Sequence, residues 1–435
     1  MTRKTLGSWL SVVCCLLSTA LPVWADEPSN ASLKADIEVL KAKLAQLETR
    51  LTETEGLKGV SGIGEKAGVP GAVTLPSGLS ALGMSGFVDA SYIYNFSEPE
   101  AVVSGTTTRT NRGRVFDVQS NGATIQAAEL VLEKPMTDEM PIGFRTDLFF
   151  GDDAELIHST GLGEAPGTGN VADVFDLEQA YVTARVPVGA GLDIKMGKFV
   201  TLLGSEVIES PANWNFSRSY LFGYAIPFTH TGVLATYPLG ELGSATMGVV
   251  NGWDIVDDTN KAKSLIGSII LTPFKALTVA VNGITGAEQS SNSHDRRTVA
   301  DLVLTWQPIE KLTLMGNYDF GHEGAGAGTG YDSKEWTGLA LYAKYELTPK
   351  WSLAGRGEWF DDKDNFRTAL TSIDGGTPTD INFYEYTLTS EWKLHEHLLA
   401  RLEYRHDQAS EQVFLLHSGF ADYQDTVALE LITHF

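Results

Sequence analysis

The chain has 435 residues, of which 43% are hydrophobic, 10% aromatic and 20% charged, with 44 Gly and 16 Pro. That composition excludes a disordered chain, a collagen-like repeat and a disulfide scaffold, and a formal charge of −23 argues against a nucleic-acid partner, which selects for basic patches. Near-neutral mean hydropathy excludes a bundle of membrane helices but not a β-barrel, whose apolar and polar residues alternate and average out.

Residues 1–25 read as a secretory signal peptide. Arg3 and Lys4 supply the charged start, Leu10 to Leu21 an apolar stretch, and Val23-Trp24-Ala25 a small-x-small cleavage site. The apolar stretch falls short of the about 20 residues a spanning helix needs. Both cysteines, Cys14 and Cys15, lie in this segment, and Val13 ahead of Cys14 does not suit lipid attachment. Cleavage leaves an exported chain without cysteine, which excludes disulfide staples, thiol chemistry and Cys-ligated zinc. No later stretch is apolar enough to span a bilayer as a helix. A soluble exported protein or an outer-membrane barrel remains.

Segment 26–55 predicts a periplasmic coiled-coil helix, running over 30–55. Leu33, Ile37, Leu40, Leu44, Leu47 and Leu51 follow a 4-3 spacing, the a/d seam of a coiled coil. Asp36 with Lys41, and Lys43 with Glu48, fall at g-to-e′ spacing with opposite charge, which favours parallel pairing between copies of the chain. A single helix docked on its own domain is the alternative. Gly56 suits the end of the helix. Residues 56–80, Gly-rich with Pro70 and Pro76 and without periodicity, read as a flexible linker.

From Ala81 to Phe435 the pattern changes to short runs of period two. The last run places Val427, Leu429, Leu431, Thr433 and Phe435 on one face and Thr426, Ala428, Glu430, Ile432 and His434 on the other. Similar runs begin near Gly86, Ala123, Gly143, Val174, Gly191, Thr229, Gly243, Lys263, Ala276, Arg296, Lys311, Lys334, Trp351, Ile381 and Leu398. The connections alternate between short turns, such as Val188-Gly189-Ala190 and Thr348-Pro349-Lys350, and long polar loops near 97–121, 151–172, 201–226, 254–262, 286–295, 321–333, 361–379 and 408–423. The pattern predicts an all-β fold: a transmembrane antiparallel β-barrel of about 16 strands over 81–435, preceded by the coiled-coil helix. Both ends of the barrel segment then lie on the short-turn side. Tyr237, Phe274, Trp306, Tyr345, Trp351, Trp392 and Phe435 lie by short turns, and Tyr94, Phe96, Phe150, Trp253, Phe320, Trp359 and Tyr384 toward long loops, as two aromatic girdles would. The terminal Phe435 is the candidate assembly signal.

Alternation gives a set of pore-lining candidates: Asp89, Glu129, Arg145, Asp147, Lys195, Asp301, Asp319, Lys344, Arg356, Glu358, Glu385, Arg401, Glu403 and Arg405, with Glu430 on the same face of the last run. A charge facing lipid at mid-depth costs up to about 2–4 kcal/mol, so these must meet water or one another. About sixteen strands enclose an aqueous channel rather than a packed core. Acids outnumber bases in the set, a weak argument for cation preference. Segment 200–228 is aromatic and amide-rich. Glu206, Glu209, Asn213, Trp214, Asn215 and Arg218 are candidates for a constriction folded into the pore; an external cap is the alternative.

Several motifs carry a family resemblance. Gly86-Phe87-Val88-Asp89-Ala90-Ser91-Tyr92-Ile93-Tyr94-Asn95-Phe96, Gly143-Phe144-Arg145-Thr146-Asp147-Leu148-Phe149-Phe150-Gly151 and Leu177-Glu178-Gln179-Ala180-Tyr181-Val182 resemble the OmpL-like β-barrel porins. So do Gly197-Lys198-Phe199, the run Glu206 to Ser210, Asn213-Trp214-Asn215-Phe216-Ser217-Arg218-Ser219 and Pro227-Phe228-Thr229-His230-Thr231-Gly232. The resemblance covers about 82–435. It implies an outer-membrane channel for small hydrophilic solutes or ions, partnered by outer-membrane lipid and by copies of itself, a trimer being favoured. It supplies no substrate.

Chemistry is not expected. G-x-S-x-G, H-E-x-x-H, P-loop and strand-linked G-x-G-x-x-G patterns are missing from the sequence. His395-Glu396-His397 reads as a polar turn. Asp257-Asp258 and Asp361-Asp362-Lys363-Asp364 read as solvated acidic loops, without the Gly and distant Glu of an EF-hand. No catalytic residue, metal ligand or cofactor is assigned. The rival readings are a tether to the cell wall with a closed barrel, an outer-membrane enzyme and an adhesin.

Overall fold

The computed structural model describes residues 82–435, apart from 101, 105–106, 163–173, 290–291, 327–331 and 372–377. The signal peptide, the coiled-coil seam Leu33 to Leu51 and the linker fall outside the described residues.

Sixteen strands form one closed antiparallel barrel. They are β1 (Gly83–Asn95), β2 (Gly122–Lys134), β3 (Ile142–Phe150), β4 (Phe175–Val186), β5 (Leu192–Val200), β6 (Thr229–Pro238), β7 (Gly243–Val250) and β8 (Ser264–Phe274). The second half is β9 (Leu277–Gly286), β10 (Arg297–Ile309), β11 (Leu312–Glu323), β12 (Lys334–Thr348), β13 (Trp351–Lys363), β14 (Asp380–His395), β15 (Leu398–Ala409) and β16 (Tyr423–His434). Each strand pairs with its sequence neighbour, and β16 closes on β1 with Phe87 opposite His434 and Asn95 opposite Thr426. Closure matters because lipid offers no partner to a free backbone N–H or C=O, each worth several kcal/mol. The last residue completes the seam: Phe435 N–H donates to Gly86 O at 3.1 Å. Gly86 is needed there, since a Cβ would stand 2.2 Å from Glu129 O.

The period of two sets the faces. On β14, Ile381, Phe383, Glu385, Thr387, Thr389 and Glu391 are buried, while Tyr384, Tyr386 and Leu388 are exposed. On β16, Thr426, Ala428, Glu430 and Ile432 are buried and Leu429 and Leu431 exposed. So wide a belt of exposed apolar side chains would aggregate in water and matches the lipid face of a barrel. Charges therefore collect inside.

Several register shifts occur at the short turns, and two more interrupt the alternation within the strands. One falls at Asp89/Ala90 against β2, where Ala127 and Ile125 are the partners and Gln126 is extra. The other falls at Asp147/Leu148 against β4, where Glu178 is extra. A bulge of this kind bends the strand and re-aims a side chain.

Long and short connections sit at opposite ends of the strands, as the sequence predicts. Of the girdle residues, Tyr94, Phe96, Phe150, Phe320, Tyr237, Phe274, Trp306 and Phe435 are exposed. Trp253 departs from that expectation. Its ring packs edge-on against buried Trp336 at 6.3 Å and lies 4.6 Å from the Arg367 guanidinium. Two cations over one indole hold it inward, Arg297 being the second at 4.9 Å.

Candidate constriction inside the barrel

Residues 201–228, between β5 and β6, fold into the barrel. Their backbone groups meet charged side chains that alternation points inward from β13 and β15, and acids of β14 hold two of the arginines among them. Three arginines each bind a wall acid and a carbonyl of this segment. Arg356 pairs with Glu385 at 3.0 Å and Glu206 at 2.7 Å, and donates to Ser217 O at 2.6 Å. Arg401 pairs with Glu391 at 2.8 Å and Glu430 at 3.0 Å, and donates to Ser210 O and Asn213 O at 3.0 and 2.7 Å. Arg405 pairs with Asp407 at 2.8 Å and donates to Arg218 O at 2.6 Å.

Two glutamates do the converse. Glu403 accepts the N–H groups of Phe216 and Ser217 at 2.7 and 3.0 Å. Glu358 accepts those of Tyr220 and Leu221, both at 2.7 Å. The second pair opens the short helical turn Leu221–Ala225, whose first N–H groups have no partner within the turn. Hydrogen bonds to charged groups contribute about 1.5–3 kcal/mol each, so these contacts fix the segment firmly.

The constriction candidates divide by role. Glu206 reaches Arg356, and also accepts Ser219 N–H at 2.7 Å. Asn215 donates to Thr389 Oγ1 at 2.7 Å. Asn213 and Arg218 serve the segment itself. Asn213 bonds Val207 N and O, and Arg218 donates to the carbonyls of Val207, Ile208 and Phe216. Trp214 packs edge-on to Tyr342 at 6.4 Å. Glu209 sits beside Glu129 and Glu178.

The remaining wall candidates lie on the same inner surface. Asp301 accepts Asn282 and Asn317 amides at 2.5 and 2.7 Å, and Asn317 Oδ1 accepts Ser205 N–H at 3.1 Å. Asp319 and Asp89 are fully buried, and neither oxygen of either receives a hydrogen bond. Lys344 pairs with Glu391 at 3.1 Å, Arg145 with Asp147 at 2.9 Å, and Lys195 stands 4.3 Å over the Tyr181 ring.

Four further residues belong to the same bonded network, Glu391, Asp407, Arg114 and Asp117. Glu391 and Asp407 share the inner face with Glu385 and Arg405, so continuing the alternation, by three steps and by one, finds them. Arg114 and Asp117, on the loop after β1, carry no such signal. Arg114 pairs with Asp117 at 2.5 Å and Asp407 at 2.7 Å, all three buried. The segment's far end is anchored by Asp254, whose Oδ1 accepts Phe228 and Thr229 N–H at 2.7 and 2.9 Å. Burial pushes its carboxyl up to about 6 against the pull of those two donors.

On the long-loop side an aromatic layer fills the interior. Phe116, Phe222 and Phe228 lie 5.4–5.7 Å apart, and Tyr220 stacks on Phe383 at 4.8 Å. Cavities of about 860 and 540 Å³ lie on the short-turn side, both floored by Pro211 and Ala212. One of about 370 Å³ lies among Arg112, Tyr224, Leu370 and Phe420. Between them the described inward side chains are nearly all buried.

The family described as "Putative beta-barrel porin-2, OmpL-like" has a sequence profile that matches residues 81–435. Among solved structures, OmpT of Vibrio cholerae in its trimer form is similar at a TM-score of 0.51 and 10% identity, over 81% of this chain and 99% of that one. Salmonella typhi OmpF in complex with daunomycin gives 0.52 and 10%, over 81% and 97%. Pseudomonas putida OprB gives 0.50 and 11%, over 82% and 94%. At these identities the likeness is one of fold. No curated protein matches the chain. A profile match spanning all sixteen strands, on a closed barrel with an apolar outer face, means that the chain belongs to the OmpL-like family of outer-membrane β-barrel porins.

Proposed function

We propose that the barrel passes small hydrophilic solutes and ions by passive diffusion, that segment 201–228 sets its width, and that it weakly prefers cations. The observation that carries this reading is the bonding of that segment to Arg356, Arg401, Arg405, Glu358 and Glu403. Those contacts are polar, so water can replace them when the segment shifts, and pore width and lumen charge then decide what passes. Cation preference is supported by inner carboxylates that lack a basic partner, Asp89 and Asp319 among them.

In this reading the short turns face the periplasm, as in outer-membrane barrels generally. Residues 1–25 direct export, 26–55 form a periplasmic coiled coil, 56–80 link it to the barrel, and Phe435 serves as the assembly signal. Three copies associate in the membrane.

A second reading, a wall tether with a permanently closed barrel, is favoured by the filled mid-section. Proteoliposome swelling separates the two. A porin gives swelling in isosmotic sugars at rates that fall with solute size. A tether gives none from correctly folded protein.

A further inference from the structure

We propose that Glu129, Glu178 and Glu209 form a site for a divalent cation of the calcium type, which clamps segment 201–228 to the wall made by β2 and β4. Each residue offers one carboxylate oxygen, and these oxygens lie within 4.8 Å of one another. An all-oxygen, all-carboxylate set suits a hard cation. Calcium takes such ligands at about 2.3–2.6 Å, so oxygens across the ion stand at most about 5 Å apart.

Acidic clusters are common on protein surfaces, and this one differs in its burial. Glu178 is fully buried and neither of its oxygens receives a hydrogen bond. Glu129 is 8% exposed, and its Oε1 also lacks a donor. An uncompensated buried carboxylate is unfavourable, and adjacent ones repel. Arg145, on β3 between these two strands, is engaged elsewhere: its Nε donates to both oxygens of Asp147 at 2.9 Å, and Gln179 donates to the same carboxylate at 2.5 Å. A bound cation supplies the missing charge.

Local structure builds the site. The register shift between β3 and β4 makes Glu178 the extra residue of a bulge, which turns it inward beside Gln179. Glu209 arrives from the crossing segment, one residue before Ser210, whose carbonyl binds Arg401. Access exists, because Glu129 and Glu209 line the cavity of about 540 Å³ on the short-turn side. A hydrated ion can enter there and keep waters in its remaining positions.

The test is equilibrium dialysis of the folded full-length protein against radioactive calcium, in detergent free of lipopolysaccharide. Wild type is compared with Glu178→Gln and Glu209→Gln. The expected result is about one more ion bound per chain by wild type, with affinity reduced about tenfold or more in each variant. Surface acids bind equally in all three proteins and cancel. Thermal unfolding gives a second readout. Calcium raises the melting temperature of wild type but of neither variant, and without calcium Glu178→Gln is more stable than wild type because a buried charge is gone. Equal binding by the three proteins, or calcium stabilisation that survives in either variant, overturns the site. Neither readout depends on conductance, so the porin reading stands or falls separately.

Discussion

Glu403 and Phe216 stand 187 residues apart in the chain, and the Phe216 N–H donates to Glu403 Oε2 at 2.7 Å. The other Glu403 oxygen takes the Ser217 N–H, while Thr389 links the same carboxylate to Asn215. One inward carboxylate thus holds three consecutive residues of the crossing segment.

Glu403→Gln should release that hold. The amide keeps one acceptor and turns an NH₂ toward the second backbone donor. The loss is about 1.5–3 kcal/mol, a shift of about ten- to a hundredfold toward the undocked segment. Single-channel records should show larger and noisier conductance, with folded yield unchanged. Traces identical to wild type would remove Glu403 from the anchor.

Asp254 predicts a pH dependence with a definite sign. Its carboxyl is raised from 3.8 to about 6 when the segment is docked. The docked state therefore binds the proton more tightly, and docking strengthens as pH falls from about 6 toward 4. The gain is lost as pH rises through 6, a swing of about 3 kcal/mol. Amide exchange at Phe228 and Thr229, corrected for intrinsic rates, should slow accordingly at acid pH. Asp254→Asn should show the slow behaviour at every pH. An unchanged pH profile in that variant would assign the effect to another group.

The proposed coiled coil makes a separable prediction. Replacing Leu40 and Leu44 with Asp puts charges on the a/d seam and should abolish association through residues 30–55. The heat-resistant migration of the folded barrel on gels should persist. Loss of the folded barrel would place the domain boundary elsewhere than 56–80.

The strands were legible because lipid outside and water or charge inside force a period of two over long runs. The loops were legible because their lengths sort by side. The bulges were not, since one extra residue leaves no mark in composition; Glu178 and Gln126 became inward residues that way. Contacts at long range were also hidden. Alternation placed Glu358 and Glu403 on the inner face, but only the fold shows them holding backbone N–H groups. Arg218 reads as a constriction candidate in sequence, yet its guanidinium is spent on carbonyls of its own segment. Trp253 reads as an interface aromatic, and two arginines draw it inward.

Passive diffusion through the barrel is tested most directly by the conductance and reversal potential of the purified full-length protein in a planar bilayer under a KCl gradient. A cation-preferring porin gives discrete ion-conducting steps and a reversal potential displaced toward that of potassium, with the displacement reduced in Asp319→Asn. Silence from protein whose barrel is shown to be folded would contradict it and bring the closed-barrel tether to the front.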